Sequence, residues 1–306
     1  MPRIIVYITF IFFYCITSCE IDMYSPVSQF EIPGNELSIE STVFVQGIVH
    51  SRKEYQTVFL TTSFALGEQP DSISGAIVHV QIGDSVYPYI ESMHHPNFPE
   101  ELHQKGLYVS TEKFAGKVGG IHTLYISYDG KEYCAQDSMI AVCTFNFEGD
   151  IIPNLMNTNI ESFRFGGVFF AQEESFFITW KWYQMFGFDE TGTWIPYKQV
   201  TANSYFFADI VSPDISAGSS GDITVGEHGS PQDSTIIATK HSMSDSYKTY
   251  LIQTMYESIW NTSFFSVTPA NVTTNLSNGG LGFFAACDVT SKSILYKDLM
   301  SLAKHK

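Results

Sequence analysis

The chain has 306 residues, 44% of them hydrophobic and 15% aromatic, and a formal net charge of −16. That apolar content supports a buried core, and the length favours two domains over one. Strong acidity without a basic cluster argues against nucleic acid or anionic lipid as the main partner, and a composition rich in aromatics, Val, Ile and Thr favours strands over helices.

The N-terminus begins with Arg3 and an apolar run from Ile4 to Ile16, the n- and h-regions of a secretory signal. The run is shorter than the roughly 20 apolar residues of a membrane-spanning helix. Thr17 and Ser18 directly before Cys19 resemble a bacterial lipobox. Residues 1–18 are therefore expected to be a lipoprotein signal peptide and Cys19 the lipidated residue. An ordinary cleaved signal is the alternative. Acyl chains contribute about 0.8 kcal/mol per buried CH₂, so Cys19 would hold the chain on a membrane surface without spanning it. Glu20 and Asp22 resemble the acidic export signal that sends Bacteroidota lipoproteins to the outer face of the outer membrane. Residues 19–36, with Pro26, Pro33 and Gly34, read as a tether.

From Val43 the pattern becomes a succession of strands, at Val43–Val49, Thr57–Ser63, Ala76–Gln81, Ser85–Ile90, Leu107–Phe114, His122–Tyr128 and Glu132–Met139. Gly83-Asp84 and Gly119-Gly120 mark turns, and Asp129-Gly130 between two alternating runs predicts a two-residue hairpin. Seven short strands in about a hundred residues suggest an immunoglobulin-like β-sandwich over 37–143. Cys134 and Cys143 are close enough in sequence to pair across a connection, and an exported protein permits a disulfide. Free thiols packed as small apolar side chains are the alternative.

Residues 144–165, with Glu148, Gly149, Asp150 and Pro153, read as a linker to a second β-rich domain over 166–306. Strands are expected at Phe176–Tyr183, Tyr205–Val211 and Ser234–Lys240, with a long polar loop at 212–233. Tyr247, Tyr250, Leu251, Thr254, Met255 and Ile259 recur at helical spacing, so one helix is expected over 244–259, capped by Ser242 or Ser244. The fold class is thus mainly β, an N-terminal sandwich followed by a β-rich domain carrying one helix.

The segment from Pro269 through Asn275, Asn278-Gly279-Gly280 and Gly282-Phe283-Phe284 to Ala286 resembles the closing signature of a Bacteroidota lipoprotein family, domain of unknown function 4249. Val45-Gln46-Gly47, Ser74-Gly75-Ala76 and Gly119-Gly120-Ile121 resemble that family's first domain. The physical reading of the signature stands beside the resemblance. Asn278 and the glycines suit positive φ, Gly282 lets backbones approach closely, and Phe283 and Phe284 alternate across a final strand. An exposed ligand-contacting loop is the functional alternative.

No nucleophile elbow, zinc-protease helix or phosphate loop occurs, and no cofactor or catalytic residue is indicated. His94, His95 and His103 with Glu100 and Glu101 offer ligand atoms, but Pro96 and Pro99 break the backbone around them, and a solvated loop is the simpler reading. Asp71-Ser72, Asp84-Ser85, Asp137-Ser138 and Asp233-Ser234 resemble Bacteroidota O-glycosylation acceptors, Asp233-Ser234-Thr235 being the foremost. Trp180 and Trp182 are expected in the core. Phe186, Phe188 and Trp194 lie in a Gly-containing connection and are candidate contact residues.

The expected function is that of a non-enzymatic, lipid-anchored protein of the outer membrane, exposed on the cell surface. The resemblance implies a TonB-dependent receptor as partner, because such receptors commonly neighbour genes of the family. A surface glycan-binding module and a fimbria-like structural subunit are the alternatives.

Overall fold

A computed structural model describes residues 42–63, 70–145, 152–155, 163–166, 174–184, 198–207, 234–257, 272–298 and 301. Cys19, Glu20 and Asp22, the loop at 212–233, and Phe186, Phe188 and Trp194 lie outside the described residues.

All seven strands expected in the N-terminal half form: β1 (Val43–His50), β2 (Thr57–Thr62), β3 (Ile77–Ile82), β4 (Ser85–Glu91), β5 (Leu107–Ser110), β6 (Ile121–Tyr128) and β7 (Lys131–Ser138). Asp129 and Gly130 both take positive φ, 49° and 70°, and place Tyr128 opposite Lys131, the two-residue hairpin expected there. The arrangement differs from a sandwich. β5 pairs with both β2 and β4, so the strands run as one continuous sheet rather than two facing ones.

That sheet has an eighth strand, taken from far along the chain. β13 (Leu281–Cys287) runs parallel to β1 along its free edge, giving the order β13-β1-β2-β5-β4-β3-β6-β7. The two ends of the sheet then approach one another. Leu276 bridges Ala135, and Cys287 bridges Ile140. Asn275 spans the seam, its amide Nδ2 donating to the carbonyls of Gln136 and Phe284 and its Oδ1 accepting from the Phe284 N–H. Asp137 Oδ2 accepts the Ala286 N–H at 2.9 Å. The result is a nearly closed barrel, and its sheet extends past residue 143 to include the C-terminal signature.

Alternation explains what fills it. Val45, Val58, Leu60, Val80, Leu124 and Phe284 point inward and are completely or almost completely buried. The signature is thus structural in its strand. Gly282 lies opposite Val45 with φ 86°, and a Cβ there would overlap the Val45 carbonyl oxygen.

β8 (Ile152–Leu155) and β9 (Phe163–Gly166) form a small antiparallel pair where a linker was expected. β10 (Phe176–Gln184), β11 (Lys198–Phe206), β12 (Thr235–Ser242) and β14 (Val289–Leu295) make a four-stranded sheet in the order β11-β10-β12-β14. β11 begins seven residues before the expected Tyr205, because its polar Thr201 and Asn203 pair with β10 as regularly as its apolar residues do. Helix α1 (Asp245–Glu257) follows β12. Ser244 is its N-cap, its Oγ accepting the Tyr247 N–H at 3.1 Å. Tyr247, Tyr250, Leu251 and Met255 pack with Phe283, Ala285 and Cys287 in a second core. Among the described residues no helix is long and apolar enough to cross a membrane.

Candidate functional site

The second sheet faces the outer side of the barrel, and the residues between them follow from strand alternation. In β10 the even-numbered Phe176, Ile178, Trp180 and Trp182 are buried on one face. The odd-numbered Phe177, Thr179 and Lys181 turn the other way, toward β1. Pairing lines them up in three rows: Tyr205–Phe177–His241, then Asn203–Thr179–Thr239, then Thr201–Lys181–Ile237. Opposite them the outward residues of β1 are Gln46, Ile48 and His50, with Thr57, Phe59 and Leu107 from the neighbouring strands. Tyr247, Tyr250 and Leu251 of α1, with Phe283, close one end. These walls enclose a cavity of about 340 Å³, within the size range of small-molecule sites.

The cavity is polarised. One end is aromatic: Phe177 stacks on His241 at 4.2 Å between ring centroids, and Phe283 packs against Tyr247 and Tyr250 at 5.3 and 5.0 Å. The other end carries Arg52, Glu54 and Lys181, with Arg52 and Lys181 exposed at the rim. The Arg52 guanidinium donates to Ser291 Oγ, which also bonds Thr239 Oγ1 at 2.6 Å.

Two histidines meet where these ends join, their rings 5.1 Å apart. His50 Nδ1 is 2.9 Å from Glu54 Oε1; the carboxylate only accepts, so this nitrogen carries a proton. That hydrogen bond, followed by the nearby His50, Arg52 and Lys181 charges, outweighs the cost of burial and holds the Glu54 carboxyl below its ordinary value. Thr179 gives its single hydroxyl proton to Asn203 Oδ1 at 2.8 Å, so toward His241 Nε2, 3.1 Å away, it can only accept. His241 therefore carries its proton on Nε2. Burial, reinforced by the charges of His50, Arg52 and Lys181, pushes its pKa well down and keeps the ring neutral. His50 Nε2 and His241 Nδ1 are buried with no hydrogen-bond partner among the described residues.

The hydroxyl beside His241 donates to Asn203, so it is not a nucleophile activated by that histidine. Burial raises the pKa values of Tyr205, Tyr247 and Tyr250, so their hydroxyls stay protonated.

Of the residues singled out from sequence, those that are described fall elsewhere. Trp180 and Trp182 are in the core as expected. The histidine-rich segment is largely exposed, His94, Glu100 and Glu101 included, but His95 is buried, its ring bonded by the Asn97 N–H and set against the Ser110 carbonyl, and His103 lies parallel to Phe98. Among the described residues no group of three or more His, Cys, Asp or Glu side chains is placed to hold a metal ion. Cys134, Cys143 and Cys287 are free thiols; Cys143 is exposed and bonds Glu174 Oε1 at 3.0 Å. Asp84 and Ser85 are exposed in the β3–β4 turn, whereas Asp137 is buried and the Ser234 hydroxyl is enclosed. His50, Glu54, Thr179 and His241 were not singled out from sequence. A signal was available for Thr179 alone, since Thr179 and Lys181 alternate with Ile178, Trp180 and Trp182 in β10, whereas β12 breaks the alternation at Ile237 and Lys240.

No curated protein matches the chain. Residues 27–293 match the family described as Domain of unknown function (DUF4249). That match spans most of the sequence and takes in the barrel, the cavity-forming strands and the closing signature, so the chain belongs to the DUF4249 family.

Proposed function

We propose that this protein is a non-enzymatic outer-membrane lipoprotein of the Bacteroidota type. In this reading it is anchored through Cys19, directed outward by Glu20 and Asp22, and captures a small ligand for a TonB-dependent transporter. The observation that carries the reading is the cavity between barrel and sheet. Among the described residues it combines an aromatic end, a charged mouth and two unpartnered imidazole nitrogens, without an activated nucleophile. Such a surface suits binding and release, since among the described residues that line it the Thr179 hydroxyl is committed to Asn203 and is not activated by His241.

The lipid anchor and the tether of residues 19–36 supply the other half of the argument. They confine the domains near the membrane and raise the local concentration of any barrel embedded there, so a weak contact suffices. Phe186, Phe188 and Trp194 are the proposed contact residues, since large aromatics carry much of the binding energy at interfaces. Affinity purification in mild detergent tests this function. A TonB-dependent receptor should be recovered with the protein, and Phe188→Ala with Trp194→Ala should reduce that recovery. Recovery of the protein alone, from membranes that contain the receptor, would remove the reading.

A further inference from the structure

We propose that the cavity binds a small aromatic carboxylate bearing a hydroxyl group, with the carboxylate at Arg52 and Lys181, the ring among Phe177, Tyr247 and Phe283, and the hydroxyl donating to His241 Nδ1. This inference rests on the capture reading and adds the chemistry of what is captured.

The hydroxyl follows from the His241 tautomer. With Nε2–H committed to Thr179, the only free function of that ring is the Nδ1 lone pair, which asks for a donor. His241 is 6% exposed, and a ligand that leaves this buried acceptor unmade binds about tenfold more weakly than one that supplies the donor. A phenolic or alcoholic O–H does so; a bare hydrocarbon ring does not.

The anionic group follows from the charge at the mouth. Glu54 is already engaged by His50, which leaves Arg52 and Lys181 as an excess of positive charge at the rim. This occurs on a chain whose net charge is −16, so the rim is a local inversion of the surface field. Neither Arg52 nor Lys181 is buried, so an arriving carboxylate meets them before the ligand enters.

The flat body and its length follow from the rows. Phe177 and Lys181 are four residues apart on one strand, a separation of about 13 Å between backbone positions, which the lysine side chain shortens. A ring-borne hydroxyl and a carboxylate on a short side chain lie closer together than that, so the lysine side chain must reach back toward the ring to meet the carboxylate. The aromatic faces at the Phe177 end favour an aromatic ring by offset or edge contacts, and the polar row Asn203–Thr179–Thr239 separates them from the charged rim.

Isothermal titration calorimetry of the full mature chain with para-hydroxycinnamate tests the proposal, with cinnamate and the methyl ester of para-hydroxycinnamate as controls. The acid with its hydroxyl should bind, and each control, lacking one group, should bind about tenfold more weakly. Arg52→Gln with Lys181→Gln should abolish the preference for acid over ester, and His241→Phe the preference for the hydroxyl. The ligand-side comparison needs no variant, so a misfolded His241→Phe leaves the test intact. Equal binding of acid and ester, or no heat with any probe up to its solubility limit, overturns the proposal. The result is independent of receptor recovery. Recovery of the receptor without binding of the acid would reject this ligand class alone, and binding without recovery would reject the transporter reading alone.

Discussion

Phe283 and Phe284 are neighbours in the chain and belong to different hydrophobic cores. Phe284 belongs to the barrel core with Val45 and Leu124, whereas Phe283 packs with Tyr247 and Tyr250 of α1 and forms part of the cavity wall. A strand alternates its side chains between its two faces, so β13 is one wall with a core on each side. The same residues that close the barrel also hold the cavity's aromatic end in place.

A fragment ending at residue 143 therefore lacks a strand of its own barrel. It would expose the β1 edge and lose Phe284 and Ala286 from its core. Such a fragment is expected to remain largely unfolded by circular dichroism and amide NMR. Adding a peptide of residues 272–287 in trans should restore a dispersed spectrum, as strand addition does elsewhere. A fragment of 37–143 that folds unaided would show that β13 is dispensable.

Two substitutions in β13 separate close approach from packing. Gly282→Val places a branched side chain against the Val45 carbonyl at φ 86° and is expected to prevent parallel pairing and abolish folding. Phe284→Ala removes a fully buried ring and should cost about 3–5 kcal/mol in urea unfolding. Gly279→Ala, in a turn where a Cβ meets nothing, should cost only the strain of its positive φ, roughly 1 kcal/mol. Equal losses at Gly279 and Gly282 would contradict the close contact with Val45.

The strands of the barrel were legible because each carries its own period and turn residues, and Asp129-Gly130 even fixes a register. What closes the barrel was not, because β1 and β13 are more than 200 residues apart and parallel pairing leaves no hairpin signal. The Asn-Gly-Gly signature pointed to backbone constraint, which Gly282 satisfies, yet its partner Val45 lay in another expected domain. The cavity was still less visible. His50 follows the expected strand Val43–Val49, and only the fold brings it to His241. The rings described along the cavity, Phe177, Tyr247, Tyr250 and Phe283, are not ones that sequence favoured for contact, and Phe186, Phe188 and Trp194 lie outside the described residues.

If Cys19 carries the lipid, Cys19→Ala should leave an uncleaved, unacylated precursor and remove the protein from the outer-membrane fraction. Mass spectrometry of the N-terminal peptide and fractionation give the readout. Replacing Glu20 and Asp22 by Ala should keep the acyl group but protect the protein from protease added to intact cells. An unacylated Cys19→Ala protein still in the outer membrane would defeat the anchor assignment, and a native protein resistant to protease would place it on the inner face.

The neutral state of His241 also makes a pH signature. Burial, and then the cations around it, lower its proton affinity in the folded chain far below the ordinary imidazole value of 6.5, which the unfolded chain regains. Below 6.5 the unfolded state thus binds the proton that the folded state refuses, so stability is fully present above that pH and falls as pH drops toward the folded value. His122, lowered by burial, adds to the same window. Glu54, lowered mainly by the His50 hydrogen bond, loses its contribution only in the carboxylate range below about 4.5. Buried Asp137, whose carboxyl is raised, opposes that loss by gaining a proton more readily when folded. The slope just below pH 6.5 is accordingly the histidines' own, at most about 1.4 kcal/mol per pH unit for each proton. His241→Asn should flatten it in thermal unfolding followed at closely spaced pH values, while leaving the decline below the carboxylate range unchanged. An identical slope in the variant would mean that His241 is not held neutral in the fold.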